Sequence, residues 1–263
     1  LPYAMPIKFE GEYPGNEFYP LYIQKIICRF KLKKGYVPII QIKGGMFNDH
    51  EYLKDNGVER QELTLTNVDL EMFKEHYEIS NIDYLGGYMF KAGHGLFEKY
   101  INKWIDTKNE ATKTGNKGLR QISKLMLNSL YGKFATSGSA DVRIPYLAED
   151  GSVHHKTKCL IENEESFNGI LKDNKEMEFN YTAMACFITA YARRVTIQAI
   201  QGVGGLSKDS RFCYADTDSI HITGREMPQI WIDSVELGAW KHESCWTYAK
   251  FLRAKTYMEE VLM

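Results

Sequence analysis

The chain has 263 residues, of which 44% are hydrophobic and 25% are charged, and its formal net charge at pH 7 is −1. This composition supports a sizeable apolar core and excludes a disordered or fibrous chain. The balanced total charge, with a pI near 6.7, gives no global sign of a polyanionic partner.

The sequence carries no signal for export, membrane insertion or disulfide cross-linking. No run of 18 apolar residues occurs, and no charged stretch followed by an apolar one lies near the first residue. Neither a membrane span nor a signal peptide is therefore predicted. Five cysteines are scattered without a C-x-x-C pair, which argues against a disulfide framework and against structural zinc. We expect an intracellular, reducing, cytoplasmic setting.

Charge is segregated along the chain despite the balanced total. Between Tyr100 and Lys133 there are seven basic residues and two acidic ones, whereas Ile161 to Glu178 holds six acids and two bases. Segregation of this kind is typical of a protein with one surface that faces a polyanion.

Residues 1–95 are predicted to form an α+β unit of short strands and one helix. The β-branched runs Ile23–Leu32 and Val37–Ile42 favour strands. Thr66 is a suitable N-cap for a helix that continues to about Tyr77, with acidic residues in its first turn, where the helix dipole favours negative charge.

Three further helices are predicted in the next hundred residues. Apolar residues at helical spacing indicate helices over Leu96–Asn109, Lys117–Tyr131 and Tyr181–Gln201, and Gly132 is expected to end the second of them. Between the second and third helices, Ser137–Gly151 is expected to be rich in turns, and the acidic stretch after it is expected to form a surface hairpin.

Asp216 and Asp218, one residue apart, are predicted to lie at the tip of a β-hairpin. Side chains alternate along a strand, so both carboxylates would point to one face and Thr217 to the other. At about 4 Å two like charges repel by roughly 4 kcal/mol at the effective dielectric of a protein surface, so the pair requires a raised pKa or a bound cation. Carboxylate oxygens are hard ligands that suit Mg²⁺ or Mn²⁺.

A second group of polar side chains lies on the helix predicted over Lys117–Tyr131. Lys124, Asn128 and Tyr131 follow at i, i+4 and i+7 and share one face, with Arg120 one turn earlier. An ammonium, an amide and an aromatic ring suit the phosphates, the hydrogen-bonding groups and the flat base of a nucleotide. The residues expected on the packing side are Leu125, Met126 and Leu130.

Each of these features has an ordinary structural explanation when taken alone. An Asp-x-Asp at a hairpin tip is commonly turn chemistry, and a Lys/Asn/Tyr stripe is commonly a solvated helix face. The glycines of Gly202–Gly205 are weak as a phosphate loop because they follow a helix instead of joining a strand to a helix. The combination, ending in Lys255 and Tyr257, favours metal-assisted nucleotidyl transfer, in which two cations activate a 3′-hydroxyl and steady the leaving pyrophosphate.

Three motifs in register resemble those of family B DNA polymerases. Tyr214–Ser219 is similar to motif C, Lys124–Gly132 to motif B, and Lys255–Tyr257 to the Lys-x-Tyr motif. The stretches around them resemble the protein-primed branch found in tailed bacteriophages and linear plasmids, and the similarity spans nearly the whole chain. These stretches include Asn67–Leu70, Lys74–Tyr77, Pro145–Leu147 and Phe187–Ala190.

The resemblance implies a role for each matching residue. Asp218 would be a metal ligand with Asp216 as its partner, and the complete enzyme would use two Mg²⁺ or Mn²⁺ ions. Lys124 would hold the triphosphate of the incoming nucleotide and complete the catalytic set with the two aspartates. The residues implied at the nucleotide are Arg120, Lys124, Asn128 and Tyr131, and those implied at the primer-template are Thr217, Lys255 and Tyr257.

The same resemblance implies the fold class, an α+β partial polymerase right hand (palm and fingers) with two terminal-protein-region insertions. The first insertion would span residues 1–95, the fingers 96–135, the second insertion 136–178 and the palm 179–263. In this family the second insertion helps to encircle DNA, which supports processivity and strand displacement.

The partners implied are a DNA primer-template, deoxynucleoside triphosphates and a terminal priming protein, bound by a monomer in the cytoplasm of a bacterial host, with no membrane. Motif A, which carries a further metal-binding aspartate in this family, is absent from the chain, as are the exonuclease domain and the thumb. We therefore expect a C-terminal polymerase-domain fragment that is inactive alone although its parent polymerises DNA.

Two other interpretations stay open at this point. A reverse transcriptase also places paired aspartates on a hairpin, but there the two are adjacent, whereas Thr217 separates them here. A non-catalytic fragment that binds DNA or a terminal protein would have degenerate chemistry, and the joint retention of Asp216, Asp218, Lys124 and Tyr131 argues against such decay.

Overall fold

A computed structural model describes most of the chain, namely residues 1–42, 51–135, 141–147, 153–159, 181–234 and 236–262. The chain divides into two compact units. The first unit comprises Leu1–Glu98 and Phe187–Met263, and the second comprises Lys99–Cys186. The four-part division at residues 95, 135 and 178 stays a prediction.

A four-stranded antiparallel sheet is the framework of the first unit, with its strands in the order β1-β6-β2-β5. The two central strands pair from Leu21 opposite Phe90 to Leu32 opposite Tyr77. The strand predicted over Ile23–Leu32 is confirmed, and the one predicted over Val37–Ile42 is shorter than expected. The strands are β1 (Pro2–Phe9), β2 (Leu21–Leu32), β3 (Ile40–Ile42), β4 (Glu51–Leu53), β5 (Gln61–Thr66) and β6 (Tyr77–Ala92).

Helix α1 (Asn67–His76) begins where the sequence predicts. The hydroxyl of Thr66 accepts a hydrogen bond from the N–H of Asp69 at 3.1 Å, which satisfies one of the free donors of the first turn. The buried face of α1 contributes Phe73, whose ring lies 5.3 Å from Phe30 and 5.0 Å from Tyr77. These three rings form the centre of the core of this unit.

The hydroxyl of Tyr77 organises a buried junction between three segments. Its oxygen accepts the N–H of Ile39 at 3.0 Å and donates to the carbonyl of Leu53 at 2.8 Å, while the Tyr77 residue is only 1% exposed. Burial raises the pKa of this phenol. A buried polar group needs such partners because an unmade hydrogen bond is costly inside the protein.

Removing that hydroxyl should destabilise the first unit. We expect Tyr77→Phe to lower the free energy of unfolding by about 1–3 kcal/mol, because the N–H of Ile39 and the carbonyl of Leu53 lose their partner. Urea unfolding followed by circular dichroism measures the change, and Tyr3→Phe, at a residue that is 41% exposed, is the control. Equal stability of the two variants would contradict this account of the junction.

Two consecutive helices, α2 (Glu98–Lys113) and α3 (Lys117–Phe134), lie in the second unit apart from Glu98, the first residue of α2. Both are longer than predicted. The sequence places the end of α3 at Gly132, but the helix continues to Phe134 and its final turn closes when the N–H of Ala135 bonds to the carbonyl of Gly132 at 3.1 Å. A glycine is tolerated inside a helix at a cost of about 1 kcal/mol and does not by itself stop one.

The packing side of α3 differs from the one expected. Leu125 is 63% exposed, so its assignment to the packing side is wrong. Ser123 is buried instead and donates to the carbonyl of Leu119 at 2.8 Å, and Tyr100 of α2 donates to the carbonyl of Met126 at 2.9 Å. The seam between these helices is therefore more polar than an apolar stripe would predict.

A hairpin follows α3, formed by β7 (Asp141–Leu147) and β8 (Val153–Cys159). Much of the Ser137–Gly151 segment, expected to be rich in turns, is thus a strand. The reason is that pairing with the adjacent strand β8 overrides the turn signals within the segment. The hairpin expected in the acidic stretch after it lies outside the described residues.

Helix α4 (Thr182–Gly202) confirms the prediction to within one residue. It ends with the N–H of Gly205 bonded to the carbonyl of Ile200 at 3.0 Å. Gly205 has φ +54, and a Cβ there would lie 2.5 Å from the carbonyl oxygen of Gly35, so the backbone conformation and the close approach of Gly35 explain this glycine.

Two further hairpins complete the first unit. The first joins β9 (Phe212–Asp216) to β10 (Ser219–Ile222), and the second joins β11 (Trp246–Arg253) to β12 (Thr256–Val261). Among the helices of the described part, none has the length and hydropathy needed to cross a membrane.

Candidate active site

The aspartate hairpin, β9–β10 with its turn, forms as the sequence predicts. Asp216 closes β9 opposite Ser219, and Thr217 and Asp218 form a two-residue turn between them. Thr217 has φ +56, as the first turn position of a primed hairpin connection requires. The Asp218 side chain is exposed.

The expected alternation of side chains does not extend through this turn. The hydroxyl of Thr217 donates to Oδ1 of Asp216 at 3.0 Å, so the prediction that Thr217 points away from Asp216 is wrong. The physical reason is that Asp218 and Thr217 lie in the turn, where the two-residue period of a strand does not hold. Proximity of the two carboxylates stays a prediction.

The turn of the second hairpin, β11–β12, contacts the first hairpin, β9–β10. Ala254 and Lys255 connect β11 to β12, and Lys255 has φ +58. The N–H of Lys255 donates to the hydroxyl of Tyr214 at 2.8 Å. A residue other than glycine keeps this backbone conformation only when surrounding contacts maintain it. The hydrogen bond to Tyr214 is one of these contacts.

Lys255 brings its charge directly to the aspartate hairpin. Its ammonium lies 2.8 Å from Oδ1 of Asp216 and 3.5 Å from the hydroxyl of Thr217. The side chain of Asp216 is 22% exposed and that of Lys255 is 73% exposed. This hydrogen bond to Lys255, helped by Thr217 and opposed by partial burial, holds the pKa of Asp216 below its ordinary value, and it raises the pKa of Lys255.

Aromatic rings fill the space between the two hairpins. Tyr214 stacks on Phe251, with centroids 5.0 Å apart and planes 13° apart, and the Tyr257 ring lies 5.3 Å from Tyr214. His221 lies opposite Tyr214 in the β9–β10 register and meets the edge of Tyr257 at 4.9 Å. The three residues of the primer-template prediction, Thr217, Lys255 and Tyr257, are thus brought to one place.

Helix α4 supports the turn from behind. The hydroxyl of Thr196 donates to the carbonyl of Thr217 at 3.2 Å. One turn earlier, Arg193 donates twice to Oδ1 of Asp69, at 2.8 and 3.1 Å, and Asp69 in turn accepts the hydroxyl of Thr66 at 2.9 Å. One face of α4 therefore connects the N-terminus of α1 to the aspartate turn.

The predicted nucleotide stripe lies on α3 in the second unit. Arg120, Lys124, Asn128 and Tyr131 are all exposed, with Tyr131 at 45%. An exposed row of these side chains is available to a ligand, as the prediction requires. It is also what a solvated helix face presents, so the nucleotide role stays a prediction.

A full metal-binding cluster is not present within the described part of the chain. No group of three or more His, Cys, Asp or Glu side chains there is arranged to hold a metal ion. Asp216 and Asp218 supply hard oxygen donors of the type that Mg²⁺ and Mn²⁺ prefer.

Comparisons with known proteins assign the chain to a family. The family model described as "DNA polymerase type B, organellar and viral" matches residues 1–237. The chain belongs to this family of DNA polymerases. Membership excludes the reverse transcriptase considered above.

Several curated relatives of this type B polymerase chain come from bacteriophages. It is 46% identical to the DNA polymerase of Bacillus phage Nf and 45% identical to that of Bacillus phage phi29, over 99% and 100% of the chain. The solved structure of phi29 DNA polymerase with primer-template DNA and incoming nucleotides matches all of the chain at 44% identity with a TM-score of 0.82, over 43% of that structure's own chain.

The type B polymerase chain spans 42% of the length of these phage relatives. The matches do not support the expectation that it is the C-terminal part of a longer polymerase.

Sequence reasoning missed three residues of this site. His221 and Glu259 form a hydrogen-bonded pair between the hairpins, with Nδ1 and Oε1 2.6 Å apart, and Thr196 holds the turn. Alternation along β12 could have indicated Glu259, because it follows Tyr257 by two positions. No local signal identifies Thr196, since its partner lies 21 residues away along the chain.

The Lys255 ammonium makes a testable contribution to the acidity of Asp216. We expect Lys255→Met to raise the pKa of Asp216 toward its ordinary value of about 4. Carboxyl ¹³C shifts measured against pH report this pKa, and Lys250→Met, at an exposed lysine of β11, is the control.

The sign of the accompanying stability change follows from linkage. A carboxyl whose pKa is lower in the folded chain stabilises that chain above its unfolded pKa, and the contribution is lost as pH falls through the folded pKa. The Lys255→Met chain should lack this contribution. An unchanged Asp216 titration in that variant would show that Lys255 does not control the carboxylate.

Proposed function

We propose that this chain carries the nucleotidyl-transfer site of a template-directed, protein-primed phage DNA polymerase. The observation that supports it best is the meeting of the Asp-Thr-Asp turn with the Lys-x-Tyr turn, joined by the 2.8 Å bond between Lys255 and Asp216. Family membership and the 44–46% identity to phage DNA polymerases support the same reaction class.

Divalent ions fit the donors at the aspartate turn. Asp218 is exposed and has a free path to solvent, whereas one oxygen of Asp216 is engaged by Lys255. We propose Asp218 as the principal ligand and Asp216 as its partner, with two Mg²⁺ or Mn²⁺ ions in the complete enzyme. When bound, such ions increase the nucleophilicity of the primer hydroxyl and stabilise charge on the leaving pyrophosphate.

Lys255, Tyr257 and Thr217 are proposed to bind the primer terminus. Lys255 presents a cation beside the carboxylates, 73% exposed, and a phosphodiester is the ligand that an exposed ammonium would recognise. Tyr257 is 43% exposed next to it and offers a ring face to a sugar or base. These side chains would orient the primer end, which is the main way a protein assists this reaction.

The exposed stripe on α3 is proposed to bind the incoming nucleotide. Lys124, assisted by Arg120, would contact the triphosphate, because a lysine ammonium is a compact charge suited to phosphate oxygens. Asn128 and Tyr131 would line the nascent base pair and the sugar.

The remaining assignments rest on the resemblance to protein-primed family B polymerases. We propose that residues 96–135 are fingers and 179–263 palm. Residues 1–95 and 136–178 would be terminal-protein-region insertions that contact the priming protein. The polymerase would act as a monomer inside a bacterial host on DNA and deoxynucleoside triphosphates.

The 263-residue chain alone is proposed to be inactive, because two carboxylates fall short of the ligand set that two ions need. One assay tests this together with the role of Asp218. Mg²⁺-dependent primer extension is measured for the chain alone, for the full-length polymerase that carries it, and for that polymerase with Asp218→Asn.

We expect extension by the full-length enzyme and none by the chain alone. Asp218→Asn should reduce extension at least about 100-fold while DNA binding in a gel-shift assay persists. Asp209→Asn, at an exposed aspartate of a loop, is the control. Near-normal extension by the Asp218→Asn enzyme would refute the assignment, and DNA binding by an inactive full-length enzyme would favour a non-catalytic binding module.

Lys124 should affect mainly the binding of the incoming nucleotide. We expect Lys124→Ala in the full-length polymerase to raise the apparent KM for nucleotides by about 10- to 100-fold, because a charge-assisted contact to phosphate is lost. Single-nucleotide incorporation kinetics measure the effect. Lys133→Ala, on the opposite face of the same exposed helix, is the matched control, and an unchanged KM for Lys124→Ala would rule out the phosphate contact.

A further inference from the structure

We infer that Glu259, acting through His221, is a positioning residue that holds the Lys-x-Tyr turn against the aspartate turn. This inference rests on the proposed function, since it assigns Glu259 to the placement of Lys255 and Tyr257 at the primer terminus. Glu259 itself touches neither aspartate and is not a catalytic residue.

The two hairpins need a side-chain connection. In the described part of the chain, β9–β10 and β11–β12 belong to separate two-stranded sheets, so no ladder of backbone hydrogen bonds joins one to the other. An isolated two-stranded hairpin is only marginally stable and its orientation depends on what it packs against. The contacts that fix the orientation of β11–β12 therefore also fix the position of its turn.

The His221–Glu259 pair is the shortest polar contact between the hairpins. Nδ1 of His221 lies 2.6 Å from Oε1 of Glu259, and both side chains are only 12% exposed. A carboxylate can only accept, so Nδ1 is the donor. A hydrogen bond to a charged group is stronger where water is largely excluded, and a lost partner there is costly.

The surrounding rings exclude that water. His221 lies 5.2 Å from Phe251 and 4.9 Å from Tyr257, both on the second hairpin, and 5.4 Å from Tyr214 on its own. The pair thus sits inside an aromatic cluster contributed by both hairpins.

A short series of contacts links the pair to the reactive end. Glu259 and Tyr257 are two positions apart on β12, and His221 faces Tyr214 across the first hairpin. Tyr214 holds the N–H of Lys255 at 2.8 Å, and Lys255 reaches Asp216 at 2.8 Å. Lys255 also has φ +58, a conformation that external contacts must maintain. Loosening Glu259 should therefore release the Lys255 turn before it disturbs the strands.

The first test uses the 263-residue chain and needs no polymerase activity. Amide hydrogen exchange of Lys255 is followed by NMR in the parent chain and in Glu259→Ala, Glu259→Gln and Glu260→Ala. We expect exchange at Lys255 to accelerate about 10-fold or more in Glu259→Ala, because the turn opens locally, with the amides of β9 and β10 unchanged.

The other two variants separate positioning from a general loss of structure. Glu259→Gln keeps an oxygen that can accept from Nδ1 of His221 and should retain most of the protection. Glu260→Ala removes a neighbouring carboxylate that contacts Thr247 within the second hairpin, and should leave Lys255 unaffected. Unchanged exchange at Lys255 in Glu259→Ala, or equal acceleration in Glu260→Ala, would overturn the inference.

The second test uses the full-length polymerase. Glu259→Ala should raise the apparent KM for primer-template by about 10-fold, since misplaced contacts lose affinity, with the KM for nucleotides unchanged and with recovery in Glu259→Gln. Equal effects on both KM values would overturn the positioning role. If the full-length enzyme shows no activity at all, the proposed function fails, while the exchange result still decides whether Glu259 holds the turn.

Discussion

The bond between the Lys255 ammonium and the Asp216 carboxylate is the interaction on which the candidate site depends. It joins two turns that are 39 residues apart along the chain, and each turn belongs to its own hairpin. A carboxylate at the end of a strand, next to a second aspartate, is electrostatically unfavourable unless a cation approaches it. In this chain Lys255 supplies that cation to Asp216, and the bond stabilises the ionised form of this carboxylate.

The rest of the first unit serves to keep this meeting point in place. Thr196 on α4 fixes the carbonyl of Thr217, and Arg193 on the same helix is anchored by Asp69 at the beginning of α1. Helix α1 is itself packed on the four-stranded sheet through Phe73. A continuous series of contacts therefore connects the four-stranded sheet to α1, α1 to α4, and α4 to the aspartate turn. Such a framework would favour the precise placement of a primer end that we propose for this turn.

Much of this arrangement could be predicted from sequence because its signals are local. The aspartate hairpin, the N-cap of α1 at Thr66 and the course of α4 all depend on residues within a few positions of one another, and all three are confirmed. Motif order also indicated the polymerase family, and that is confirmed as well. Two of the errors arose where packing against a neighbouring element decided the outcome. Pairing with β8 turned the segment before it into a strand, and a polar seam with α2 left Leu125 exposed on α3.

The parts of the site that escaped prediction are those made by the second hairpin. No local pattern around Asp216 predicts that a lysine 39 residues later will bond to it. The family resemblance placed Lys255 at the primer-template but did not indicate its bond to Asp216. Likewise, the strand period does not describe a two-residue turn, so the side of Thr217 could not be read from alternation. Geometry at turns is set by backbone conformation, and that information is weakly encoded in residue type.

The left-handed backbone conformation of Thr217 and Lys255 lowers the stability of the fold. Residues other than glycine are disfavoured there, most of all a β-branched one such as threonine, and each such residue costs of order 1–3 kcal/mol. Glycine would suit both positions better as far as folding alone is concerned, yet it would delete the hydroxyl and the ammonium that meet at Asp216. The chain therefore retains conformational strain at two loop tips. Engineering that seeks heat resistance through idealised turns would remove the Asp216 contacts together with the strain.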